Sequence, residues 1–146
     1  MGFVRKERIK EYLENINRQV EDLKNFSVPD KEFFQQRANV ERTKAIKYSL
    51  ACAIEDICHI ALHISVALNL CKVRDSAAEA IVALGEGGIL PKEFAQTIKQ
   101  MPAFRNRLIH DYLPNEFDSE RLWEALAHLE DFNKFSQYIL DWLNKE

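Results

Sequence analysis

Residues 46–70 read IKYSLACAIEDICHIALHISVALNL. Ile46 or Lys47, Leu50, Ala53-Ile54, Ile57, Ala61, Ile64 and Leu68, with Val40 upstream, track a seam close to a seven-residue repeat. The spacing predicts one long helix from about Arg37 to Leu70, entered through a short turn at Phe33-Phe34 that Asp30 caps. Toward its end the stretch is apolar nearly all round, as in a helix at the centre of a bundle or in a dimer interface. Glu55 and Asp56 interrupt it, and their spacing sets both beside His59. His59 and His63 are four apart, and with Asp56 they offer the ligand types of a metal site. No HExxH sequence or cysteine cluster accompanies them, so buried helix-pairing histidines with a carboxylate partner are expected.

The flanking segments repeat the helical period. Ile9, Tyr12, Leu13, Ile16, Val20 and Leu23 form one stripe of a helix over Val4–Asn25. Asp75 or Ser76 caps a short helix from Ala77 to Leu84, which the glycines at 85, 87 and 88 stop. Pro91 opens the next helix, Lys92 to about Gln100. Pro102 marks a kink or restart before a helix from Ala103 to Tyr112. A last helix, capped by Asp118 or Ser119, runs to about Asn144 on the stripe Leu122, Leu126, Leu129, Phe132, Phe135 or Ser136, Ile139 and Leu143. No strand-like alternation, repeat or linker is visible. The expected fold is all-α: a single domain over residues 1–146, an antiparallel up-and-down bundle of four main helices plus a short one.

Composition agrees. Hydrophobic residues make up 47% of the 146, with four glycines and four prolines, which suits helices over a sandwich or barrel. The formal charge of −3 does not mark a general nucleic-acid binder, so a polyanion would have to meet a local basic patch. Cys52, Cys58 and Cys71 lie in apolar helical stretches without CxxC spacing and read as reduced thiols of a cytoplasmic protein. The charged first residues lack a signal-peptide pattern. The apolar run Ile57–Leu70 is too short to span a bilayer, and no membrane partner is expected.

Polar chemistry concentrates in Phe104-Arg105-Asn106-Arg107-Leu108-Ile109-His110-Asp111-Tyr112. On an ideal helix Asn106 and His110 share a face, and Arg105 and Tyr112 nearly eclipse each other. A histidine that titrates near neutrality moves protons; an arginine is a permanent forked phosphate binder. Together they suit a phosphodiester, with His110 as general acid or base and Arg105 meeting the extra charge of the transition state. Asn106 would orient the histidine or the phosphate. That chemistry requires no metal and no cofactor. On spacing alone, the same residues also read as ordinary solvated helix surface.

Arg105, four residues, His110, one residue and Tyr112 is similar to the RX4HXY motif of HEPN domains, and Asn106 fits the position after the arginine. The resemblance extends through Glu41-Arg42, Ala53 to Ile60, Leu84 with Gly87 to Pro91, Met101 with Phe104-Arg105-Asn106, and Glu130-Asp131-Phe132 with Phe135. Over nearly the whole chain it resembles toxins of the HepT type. The resemblance implies a homodimer whose two motif copies face a shared cleft, acting as a metal-independent endoribonuclease. Arg105 and His110 would be the catalytic pair and Asn106 their support, with Asp56 and Arg107 at the cleft and Lys99 adding to its field. It further implies a nucleotidyltransferase antitoxin of the MNT type that transfers AMP to Tyr112. The alternative it leaves open is a non-catalytic nucleotide-binding or scaffold subunit beside a nucleotidyltransferase.

Overall fold

The computed structural model describes residues 3–110 and 116–146, with side chains from Asp118 onward in the second part. The described residues are helical, without a strand. The elements are α1 (Lys6–Lys24), two 3-10 turns (Lys31–Gln35 and Arg37–Asn39), α2 (Val40–Ala67), α3 (Ala77–Glu86), α4 (Lys92–Ile98), α5 (Met101–Ile109), α6 (Glu116–Ala127) and α7 (Glu130–Lys145).

The central element is α2, which packs against α1, α3 and α5. Ile46, Leu50, Ile54, Ile57, Ile60 and Ile64 are fully buried, as expected of a helix at the centre of a bundle. By length and hydropathy alone, residues 37–67 would suffice to cross a membrane, but 61% of the most apolar window is buried within the protein. The expectation from Ile57–Leu70 was drawn from a shorter segment than the helix that forms. On α1 the stripe Ile9, Leu13, Ile16, Val20, Leu23 is buried and lies along α2, with α7 also packed on α1. Burying each such side chain contributes about 1.5–3 kcal/mol.

Local signals account for most boundaries. Asp30 accepts a hydrogen bond from the Phe33 N–H at 3.0 Å, the expected cap. Ser76 and Glu79 form a reciprocal capping box at the start of α3. The end of α2 comes earlier than the apolar run suggests. Asn69 adopts φ +60°, its N–H reaches the Val66 carbonyl, and the Leu70 N–H reaches the Ser65 carbonyl at 2.7 Å. That paired arrangement is a Schellman stop, which asparagine tolerates. Gly85 lies inside α3, where an added Cβ would come within 2.8 Å of the Ala95 Cβ. The missing side chain allows the close approach of α3 and α4. Pro102 sits in the first turn of α5, where its missing N–H costs nothing.

The expected single C-terminal helix is divided. α6 begins at Glu116, so Asp118 and Ser119 lie within its first turn rather than at a cap. It ends at Ala127, and α7 restarts at Glu130. Across the junction the bonds shorten to three-residue steps, His128 N–H to Ala125, Asp131 to His128 and Phe132 to Leu129. Leu129 and Phe132 stay buried through the break, so the apolar stripe continues although the helix does not. No glycine or proline marks the position.

Candidate functional site

α5 lies against α2, which brings the motif to the two charges inside the apolar seam. Arg105 Nη1 lies 2.5 Å from Glu55 Oε2. The other Glu55 oxygen is 3.3 Å from His59 Nε2, and His59 Nδ1 is 4.0 Å from Asp56 Oδ1. Asp56 turns toward α1, where its Oδ2 accepts a hydrogen bond from the Asn15 amide. The Tyr12 ring stacks obliquely on His59 at 5.2 Å. A continuous polar chain thus runs from α1 through α2 to the motif arginine. Arg105 Nε is buried without a hydrogen-bond partner among the described residues, so the guanidinium's fixed anchor is the Glu55 carboxylate.

Burial sets the electrostatics. Asp56 is buried, and its carboxyl is pushed above the usual range chiefly by desolvation, opposed by the Asn15 hydrogen bond and the His59 charge. Cys58 is raised to about 11 by burial against the opposing pull of Arg105. It is therefore a neutral packing group beside the site and not a thiolate nucleophile.

The expected histidine pair separates into two environments. His59 is exposed and faces both carboxylates. His63 is half-buried, and its Nε2 accepts the Arg5 backbone N–H at 3.0 Å. Neither is the buried histidine expected, because the i,i+4 face they share is the edge of the α1–α2 contact. No group of three metal-ligand side chains forms among the described residues. Burial, then the nearby Arg5 and Arg8 charges, lower the His63 pKa. The unfolded chain therefore binds the extra proton more readily, and stability rises with pH. This contribution is complete above the unfolded value of about 6.5 and is lost as pH falls through the folded one. Urea midpoints are expected to drop between pH 7.5 and 5.5, with a smaller drop in His63→Gln, which keeps the acceptor but cannot titrate.

α5 ends one residue before His110. His110 has extended backbone (φ −84°, ψ 143°), so the ideal-helix placement of Asn106 and His110 on one face does not hold. His110 instead lines a groove of about 550 Å³ with Phe34, Val40, Lys44, Lys47, Tyr48 and Ile109 among its walls. Asn106 is exposed. Arg107 Nε lies 2.7 Å from Asp118 Oδ1 and ties α5 to the start of α6. Lys99 lies in the turn between α4 and α5. Tyr112 lies outside the described residues. Arg105, within α5, and His110, just past its end, thus face different neighbours, the Glu55–His59 pair and the groove.

Sequence reading named Asp56 but missed Glu55 as the arginine's partner. It also missed Lys44, Lys47 and Tyr48. The signal for Glu55 was present, a carboxylate in a buried helix, but the choice between adjacent acids depends on which face of α2 is turned toward α5.

Residues 9–139 match the family model described as Ribonuclease HepT-like. No curated protein matches the chain. Among solved structures, a tri-AMPylated Shewanella oneidensis HEPN toxin in complex with MNT antitoxin is 22% identical, with TM-score 0.75 over 91% of this chain and 96% of that one. A MntA–HpeT toxin–antitoxin structure is also 22% identical, at TM-score 0.74 over 91% and 97%. YutE from Bacillus subtilis, a cytosolic protein of unknown function, is 18% identical, at TM-score 0.77 over 99% and 94%. At these identities the likeness is one of fold.

Proposed function

Because the chain belongs to the HepT-like ribonuclease family, we propose that it is the toxin of a toxin–antitoxin pair, a metal-independent endoribonuclease restrained by a nucleotidyltransferase. The observation that carries this reading is the placement of the two motif residues, Arg105 within α5 and His110 just past its end. Arg105 is held by a carboxylate of the central helix, and His110 lies in a groove whose charged walls are lysines.

The chemistry follows from those groups. The 2′-hydroxyl of one nucleotide attacks the adjacent phosphorus. Its proton leaves to a base as the bond to the 5′-oxygen breaks, and that oxygen takes up a proton. The products are a 2′,3′-cyclic phosphate and a 5′-hydroxyl. His110 handles one of these protons. Arg105 faces the non-bridging oxygens, where charge accumulates, and Asn106 supports the pair. Asp56 acts at a distance, bracing α1 and His59. Arg107 acts through Asp118, fixing where α5 ends. A homodimer would set two motif copies at one cleft and double the local positive field, which offsets the overall charge of −3. AMP transferred to Tyr112 would add a bulky anion beside that cleft and repel RNA. The AMPylated toxin among the similar structures supports this mode of restraint.

Growth after induction of the chain alone tests the proposal. Arrest by the wild type, relieved by a co-expressed cognate nucleotidyltransferase, is the expected result. Normal growth at full soluble expression would instead favour a nucleotide-binding subunit.

Glu55 should act as a positioning residue. Glu55→Ala leaves the guanidinium without its anchor, and misplacement by about 1 Å is enough to cost on the order of 10²-fold. Cleavage is expected to fall about 10- to 100-fold, mainly in kcat, with partial retention in Glu55→Gln. Equal kinetics in all three proteins would show that Arg105 finds its position without the carboxylate.

A further inference from the structure

The groove beside His110 carries groups that the proposed chemistry does not use. Its basic side chains are Lys44, Lys47 and His110, and none of the described lining residues is a carboxylate. Neither lysine has an ion pair among the described residues. Tyr48 lines the same groove with 70% of its surface exposed, its hydroxyl lying along α2 toward Cys52. Lys44, Tyr48, Cys52, Glu55 and His59 advance along α2 in steps of three and four, so they form one line on its surface. At 1.5 Å per residue that line is about 22 Å long. It joins the lysine end of the groove to the carboxylate that holds Arg105.

We propose that this groove is a binding subsite for an unpaired RNA segment, in which Tyr48 stacks on a base and Lys44 and Lys47 contact the flanking phosphates, leading the strand to His110. The inference rests on the ribonuclease reading and adds where the substrate lies. A cation pair beside an exposed aromatic ring suits single-stranded nucleic acid, because every base has a face to stack and every nucleotide a charge to meet. The volume lies within the range of ligand clefts. Exposed Val40 and Ile109 at the rim would also suit a second copy of the chain. In a two-fold contact the groove would meet part of the same patch on the second copy, whose described lining has no carboxylate to balance Lys44 and Lys47. The charge therefore favours a polyanion.

The test is fluorescence anisotropy with a labelled, unpaired 2′-O-methyl RNA, which can bind but not be cut. The proteins are the wild type, Tyr48→Ala, Tyr48→Phe and the double variant Lys44→Gln/Lys47→Gln. Tyr48→Ala is expected to weaken binding about 5- to 150-fold, and Tyr48→Phe to stay near wild type, as stacking requires. The lysine variant is expected to reduce the salt slope of log K by about 1.4, near 0.7 for each phosphate contact. Wild-type affinity and slope in all variants would overturn the subsite. So would a loss of affinity that follows dissociation to monomers in sedimentation at the same concentrations, which would make the groove a subunit interface. If the wild type neither binds RNA nor arrests growth, the ribonuclease reading itself has failed. If it cleaves RNA while the groove variants match it, only the subsite has.

Discussion

His110→Ala and Arg105→Ala are each expected to reduce RNA cleavage by about 10²- to 10⁴-fold in single-turnover assays at equal protein concentration. The range is that of a positioned general acid–base group and of a preorganised cation on the transition state. The two losses should differ in kind. His110 lies past the end of α5 and lines a groove, so its removal leaves the fold and RNA binding nearly intact and lowers the chemical step. Arg105 is anchored to Glu55, and its removal leaves that carboxylate facing His59 alone. Arg105→Ala should therefore weaken binding as well, because an anion would remain where a phosphate must sit. Arg105→Lys should recover only part of the loss, since an ammonium cannot present the planar fork of a guanidinium. Cleavage by either alanine variant within threefold of the wild type would remove these residues from the chemistry.

The largest stability effect is expected at Phe135. It is completely buried on α7, within the core that also holds Ile9, Ile16 and Ile57. Phe135→Ala deletes a ring from packed surroundings that relax only in part, at a cost of about 3–5 kcal/mol. A total near 5–15 kcal/mol is usual for a domain, so this single change should bring the protein close to unfolding at growth temperature. In urea the midpoint should fall sharply with little change in slope, which marks a loss of stability and not a change in the unfolded chain. A midpoint shift worth less than 1 kcal/mol would mean that α7 is only loosely docked. The contrast with His110→Ala is useful in cells: both variants would permit growth, but only the core variant would do so by losing soluble protein.

Much of this architecture was legible from one-dimensional periodicity. Five apolar residues of α1 and the isoleucines of α2 recur at helical steps, and those residues are the ones buried. Asp30, Ser76 and the glycines after α3 announce their turns, because capping is a matter of a few adjacent backbone groups. The motif residues stood out for the same reason, as uncommon chemistry in a short span. What escaped the sequence depends on how separate helices meet. Glu55 and Asp56 are neighbours on one helix, yet one faces Arg105 from α5 and the other faces Asn15 from α1. Which acid faces which neighbour is set by the rotation of α2 between α1 and α5. Lys44, Lys47 and Tyr48 become a groove wall only because α5 ends beside them, and the ideal-helix geometry assumed for His110 fails at that same end. The division between α6 and α7 was equally hidden, since three-residue bonding preserves the burial of Leu129 and Phe132 across the break. Backbone preference and side-chain period act over a few residues and can be read along the chain. The orientation of one helix against another is set by the whole packed interior, and the site is assembled there.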